Sequence, residues 1–251
     1  MLKNVLIILL VITIAGCSRK NNEKKELTIS VAASLQKPVE KIKTKYESLN
    51  KNIKININSG SSGTLKNQII QGSPVDIYFT ADVKFADDLI KEKYINENEK
   101  IDLLKNSLVV IKNKNIKTIL NSPADLKNIE GKISTGEPET VPAGKYAKEF
   151  LTSTGIFKDI ESKIIFAKNV SFVKTYVESG EVDFGIVYKS DATELKNSEI
   201  ALKIDNTLHS DIIYSIAVIN KSKNIEEAKK FVDFIKSEES KKIFTDFGFE
   251  L

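Results

Sequence analysis

Apolar positions along this chain change period several times, and each change marks an element. Leu27, Ile29 and Val31 alternate with short polar residues, which suits a half-buried strand. Leu35, Val39, Ile42, Tyr46 and Leu49 then recur at spacings of four and three, the stripe of one helix face. Pro38 falls in the first turn of that helix, where no backbone N–H is needed. The switch then repeats. Ile53, Ile55 and Ile57 alternate, residues 58–65 (NSGSSGTL) form a glycine-serine turn, and Leu65 and Ile69 open a helix that Gly72 stops. Residues 76–80 (DIYFT) are a third strand, followed by Ala81-Asp82 and a helix bearing Phe85, Leu89 and Ile90. Three strand–helix units in succession predict a parallel sheet with helices on its faces.

Residues 92–105 read as polar and irregular, and 107–111 (SLVVI) as a strand where the chain first crosses into another lobe. The pattern then restarts. Ser122-Pro123-Ala124-Asp125 is a helix start. Residues 132–135 are a strand, and 136–144 (GEPETVPAG) lead into a helix carrying Tyr146, Phe150 and Leu151. After a strand at 164–167, Asn169-Val170-Ser171 opens a helix with Val173, Tyr176 and Val177 on one face, closed by Gly180, and a strand at 184–188 ends in Tyr188. Residues 200–204 read as an edge strand, and 212–219 (IIYSIAVI) as a long apolar strand crossing back. Helices at 225–236 and 237–247 close the chain, and the Phe231 to Ile235 stripe is read as core. The expected fold is α/β and two-lobed, like a periplasmic binding protein. Each lobe is a mostly parallel sheet flanked by helices, with a ligand cleft between lobes. Residues 26–105 plus 208–251 make the first lobe and 106–207 the second.

The N-terminus bears on compartment. Lys3, an apolar run over residues 5–15 and then Gly16-Cys17 form a signal peptide over residues 1–16, because a run of eleven residues falls short of the roughly 20 needed to span a bilayer. Ile14-Ala15-Gly16-Cys17 resembles the bacterial lipobox, which implies an acylated Cys17 as the first mature residue. Residues 17–25 would then be the lipidated cysteine and a charged tether. The mature protein would be anchored to the extracytoplasmic face of the cell membrane without spanning it.

Composition narrows the chemistry. Cys17 is the one cysteine, so its acylation leaves no thiol for a disulfide or a metal, and His209, the one histidine, has no second ligand at metal spacing. The net charge of +4 falls to +3 once Lys3 leaves with the signal peptide, and lysines alternate with glutamates and asparagines. No basic block interleaved with aromatics is present, which argues against nucleic acid as a partner.

What the pattern offers instead is anion chemistry at helix starts. Ala32, Ala33 and Ser34 sit where a strand becomes a helix, with unpaired N–H groups and the positive end of the helix dipole. Ser34 as a simple N-cap is the alternative. The turn at 58–65 repeats that arrangement after the second strand, with Ser62 at its centre. The loop at 136–144 presents the N–H groups around Ala143 and Gly144 at another helix start. Tyr188 stands at the carboxyl end of its strand, the edge where ligands of open α/β sheets gather, although a core aromatic would read the same way.

Several segments together resemble a known family. They are VAASL at 31–35, SGSSGTL at 59–65, GSPVDIYFTAD at 72–82, NSLVVI at 106–111, GEPETVPAGKYAKE at 136–149 and FGIVYKSDA at 184–192. In this order they are similar to the molybdate-binding proteins of bacterial ABC importers, within the two-lobed solute-binding proteins, over almost all of residues 27–249. The resemblance implies an oxyanion, molybdate and with it tungstate, held by Ser34 and Ser62, by backbone N–H groups at Ala143 and Val170, and by the Tyr188 hydroxyl. It implies hinge closure, docking on an ABC permease and no cofactor; a monomer is expected. Gly63 departs from relatives that carry a third serine, and is expected to supply the same backbone N–H. Three alternatives remain: the same fold binding sulfate, phosphate or a small carboxylate; an enzyme using Ser34 or Ser62 as nucleophile; and a structural lipoprotein. No glycine-x-serine-x-glycine elbow surrounds either serine, and His209 lies near the hinge, so no enzyme is expected.

Overall fold

The computed structural model describes residues 24–251. The expected signal peptide, the lipidation of Cys17 and most of the tether lie outside the described residues. The N-terminal segment runs β1 (Lys25–Ala32), α1 (Gln36–Leu49), β2 (Ile53–Gly60), α2 (Ser62–Ile70), β3 (Ile77–Thr80), α3 (Val83–Lys91) and β4 (Ile101–Asn106). After the single residue Ser107 come β5 (Leu108–Asn113), β6 (Ile133–Gly136), α4 (Pro142–Ser153), α5 (Phe157–Ile160), β7 (Ile164–Ala167), α6 (Val170–Ser179), β8 (Phe184–Tyr188) and β9 (Ser198–Lys203). The chain ends with β10 (Ile212–Val218), α7 (Ile225–Ile235) and α8 (Glu238–Asp246). Among the described residues, no helix is long and apolar enough to cross a membrane.

Two five-stranded sheets result, in the orders β2-β1-β3-β10-β4 and β7-β6-β8-β5-β9. Each begins with three parallel strands, then takes in one antiparallel strand and ends on an edge strand. The antiparallel strands are β5, which enters the second sheet directly from β4, and β10, which returns to the first sheet from β9. The sheets are therefore mixed, with four strands of each running one way. The expectation of an irregular stretch at 92–105 is corrected by β4. Its alternation of exposed and buried positions is short and broken by Leu103-Leu104, and it is held by β10 on one side and by a bridge from Lys105 to Glu250, so tertiary pairing decided its conformation.

Burial follows the sequence periods. Leu27, Ile29 and Val31 of β1 are inaccessible, and so are Val39 and Ile42 of α1. Tyr46 packs edge-on against Phe231 of α7, ring centroids 5.0 Å apart, and Phe231, Val232 and Ile235 are core as expected. The α1 stripe stops there, because Leu49 in the last turn is exposed.

Candidate ligand-binding site

The carboxyl ends of all six parallel strands contribute to one small cavity. Ala32, Ala33 and Ser34 come from the end of β1; Gly60, Ser61 and Ser62 from β2; Ala81 follows β3. From the other sheet come Val141, Pro142 and Ala143 beyond β6, Asn169 and Val170 beyond β7, and Tyr188 at the end of β8. Register explains the convergence. Ala32 pairs with Gly60 at the flush ends of β1 and β2, so Ser34 and Ser62 each stand two residues past the same level. Gly136 pairs with Ala167 likewise at the ends of β6 and β7. All five oxyanion-contact candidates read from the sequence thus line one space, whose volume is about 10 Å³ for the centre of a water-sized sphere. That is about the room needed by one water molecule.

Each helix start leaves backbone donors free. Ser61 is the N-cap of α2, its hydroxyl accepting from the Thr64 N–H at 3.3 Å, so Ser62 is the first helical residue and its N–H has no partner within the helix. Asn169 caps α6 by accepting from the Phe172 N–H at 3.1 Å, which leaves the Val170 N–H in the same position. In α4 the first residue is Pro142, which has no N–H, so Ala143 carries the first amide that helix can offer. The approach of α4 to β6 depends on glycine: a Cβ on Gly144 would lie 2.0 Å from the Gly136 carbonyl oxygen. Ser34 sits in a single 3-10 turn, Ala33–Leu35, and its side chain caps neither that turn nor α1. The reading of Ser34 as an N-cap is therefore set aside.

Side-chain hydroxyls are oriented by residues behind the cavity. The Ser62 hydroxyl accepts from the Ala81 N–H at 3.1 Å and keeps its own proton to donate, while the Tyr78 hydroxyl donates to the Ser62 carbonyl at 2.7 Å. Asn106 donates through Nδ2 to the Tyr214 hydroxyl at 3.2 Å and to the Ser190 hydroxyl at 2.8 Å. The Tyr214 hydroxyl, which accepts from Asn106, lies 3.0 Å from the Ser34 Oγ, and either of those two hydroxyls can donate to the other. Tyr188 packs against Tyr214, ring centroids 5.8 Å apart. The Tyr188 hydroxyl is buried with no hydrogen-bond partner, and burial pushes its pKa well above that of free tyrosine, so it stays a donor.

None of the residues lining the cavity carries a charge. Carboxylates and lysines lie at the rims. On one side Asp82, Lys145 and His209 line a larger cleft of about 710 Å³. The His209 Nδ1 is 2.8 Å from the Ser210 carbonyl oxygen, and its ring lies by that of Tyr146. On the other side Asp191 and Lys174 face a groove that also reaches Ser34. Gly63 behaves differently from expectation. Its N–H donates to the Thr140 carbonyl at 2.9 Å, and it is absent from the cavity lining.

Tyr214, Asn106, Ser61, Ala81 and Asn169 were not singled out as site residues in the sequence. For Tyr214 the available signal was a hydroxyl-bearing ring inside an otherwise apolar strand. For Asn106 it was an amide at the crossing between sheets.

Two α/β layers joined by two crossings, with a cavity of uncharged donors between the ends of their parallel strands, define a two-lobed solute-binding protein. The chain matches the family described as bacterial extracellular solute-binding protein over residues 27–250, and it belongs to that family. It is 38% identical to YvgL of Bacillus subtilis strain 168, assigned as an ABC transporter substrate-binding lipoprotein, over 94% of this chain and 92% of that one. It is 32% identical to the molybdate-binding protein ModA of Escherichia coli K12, covering 90% of this chain and 89% of that one. A solved structure of the substrate-binding domain assigned to a molybdenum ABC transporter of Clostridium difficile superposes with a TM-score of 0.69. It is 40% identical and covers 90% of this chain and 98% of that one.

Proposed function

We propose that this chain is the substrate-binding lipoprotein of a bacterial ABC importer, capturing molybdate, and tungstate with it, outside the cytoplasm and delivering it to a permease. The observation that carries this reading is the buried Tyr188 hydroxyl, without a partner, at a cavity whose other polar groups are uncharged and include helix-start N–H groups and the Ser34 and Ser62 hydroxyls. A tetrahedral dianion offers acceptors only and is costly to dehydrate, so it needs a donor at every oxygen. Hydrogen bonds to a charged group contribute about 1.5–3 kcal/mol each, and six to eight of them offset dehydration with enough left for micromolar affinity or better. Ser34, Ser62, Ala143, Val170 and Tyr188 supply donors of that kind. The names of the B. subtilis, E. coli and C. difficile relatives support the transport role and the molybdenum oxyanion.

The alternatives fit less well. Protonated phosphate brings a donor and would need a carboxylate to accept it, but no lining residue carries one. Sulfate is a smaller tetrahedron than molybdate, so selection between them rests on cavity size. As nucleophiles, Ser34 and Ser62 would need a base, yet Ser34 pairs with Tyr214, Ser62 with the Ala81 amide, and His209 lines the separate cleft. In the mechanism, residues of the first sheet take the anion on Ser34 and Ser62, and those of the second close over it with Ala143, Val170 and Tyr188.

Calorimetric titration of the purified protein with molybdate, tungstate, sulfate and phosphate tests this. Micromolar or tighter binding of the first two, with much weaker binding of the others, is expected; no heat with molybdate overturns the ligand. For the anchor, Cys17→Ser is expected to move the protein from the membrane fraction to the soluble fraction.

A further inference from the structure

One rim of the cleft carries contacts that the cavity itself does not use. The Gly63 N–H, in the first turn of α2, donates to the Thr140 carbonyl ahead of α4 at 2.9 Å, joining the layers of the two sheets. A Cβ on Gly63 would stand 2.8 Å from the Thr140 Cα and 2.9 Å from its carbonyl oxygen, so any larger residue pushes backbone against backbone. On the same side, Lys145 of α4 donates to Asp82 Oδ2 at 2.7 Å. The Asp82 side chain is 2% exposed and that of Lys145 33%. The second Asp82 oxygen accepts from the Lys84 N–H at 2.9 Å, which fixes the carboxylate at the start of α3.

We propose that Gly63, Asp82 and Lys145 form a clasp across this rim that holds the two layers closed over the ligand and so sets its residence time. The inference rests on the oxyanion-binding reading above and adds three positioning residues to it. The ligand is held by uncharged groups and leaves when the layers part. Parting them breaks the Gly63–Thr140 hydrogen bond and strips Lys145 from a buried carboxylate. Asp82 then gains water and retains its place at the helix start, where the dipole favours an anion, so the open form tolerates its charge. The closed form does not, because a buried carboxylate without its cation is strongly disfavoured. Closure thus depends on the pair even though neither residue touches the cavity.

Stopped-flow and equilibrium binding of molybdate to three variants of the full chain test the clasp. Lys145→Met keeps the apolar stem and removes the charge; the off-rate should rise at least about tenfold, with the on-rate within about threefold of wild type. Asp82→Asn combined with Lys145→Met leaves no unpaired charge and should recover the part of that loss due to the stranded carboxylate, with the off-rate still above wild type. Gly63→Ala should also speed release, because its Cβ meets the Thr140 backbone when the layers are closed, while circular dichroism shows that α2 is kept. Wild-type off-rates in both Lys145→Met and Gly63→Ala, or a double variant no better than the single one, would overturn the clasp. If wild type binds no oxyanion, the function proposed above fails instead, and small-angle scattering of the unliganded proteins decides the clasp. Larger radii of gyration for Lys145→Met and Gly63→Ala support it, and radii equal to wild type overturn it.

Discussion

A buried hydroxyl without a partner costs a fold about 1–3 kcal/mol in lost hydration, which is the position of Tyr188. Tyr188→Phe removes that cost together with the donor. Molybdate affinity should fall tenfold to a hundredfold, about 1–3 kcal/mol, while thermal stability stays level or rises. Calorimetry with and without ligand separates the two effects, and unchanged affinity would remove Tyr188 from the site. Asp191 makes a different prediction. Its Oδ2 is buried and unpaired, and burial pushes the carboxyl up to about 7, with Lys174 and Lys37 pulling it back in part. A folded-state value above the unfolded one means that the neutral carboxyl stabilises the fold fully below about pH 4, and that this contribution is lost as pH rises towards about 7. Asp191→Asn should flatten that loss, seen as a smaller fall in melting temperature than wild type across the same interval. An identical pH profile would contradict it. At this scale the sequence marks Ser34, Ser62, Ala143 and Val170 at helix starts and Tyr188 at the end of a strand, and their grouping around one oxyanion came from the family resemblance. The sequence did not disclose Tyr214 or Asn106, whose partners are remote: Ser34 and Tyr214 are 180 residues apart, and such a contact leaves no local period.

Elements with strong periods and clear caps were legible, and the weak ones were not. Helices α2 and α6 announce themselves through the glycine-serine turn at 58–65 and through Asn169-Val170-Ser171, and the structure adds Ser61 and Asn169 as their caps. The edge strand β4 did not, because it owes its conformation to pairing with β10, more than a hundred residues away. One element-scale experiment isolates a backbone donor. Val170 is the first residue of α6, and Asn169 before it is fully extended, with φ −162° and ψ 168°. Proline fits both requirements, so Val170→Pro deletes one N–H with little disturbance to the helix. Circular dichroism should be preserved and molybdate affinity should fall about tenfold or more, the loss of one hydrogen bond to a charged group. Full affinity would show that this amide does not reach the ligand.

The two sheets repeat one strand order, with the antiparallel strand of each arriving from the other, so the chain crosses the same gap twice and the cavity opens where both sets of parallel strands end. A ligand there is bound by both layers at once and by neither in the unfolded chain. Its binding energy is therefore added to the stability of the whole molecule. At a free concentration of 100 times Kd the gain is about 2.7 kcal/mol. For a domain of this size that corresponds to a rise in melting temperature of about 5–11 °C. Calorimetric scans with molybdate should show such a shift as one transition, because the anion joins both layers. Two transitions of which only one moves would mean that a single layer holds it. Sulfate at the same concentration should give a much smaller shift, and an equal one would show that cavity size does not discriminate between the two tetrahedra.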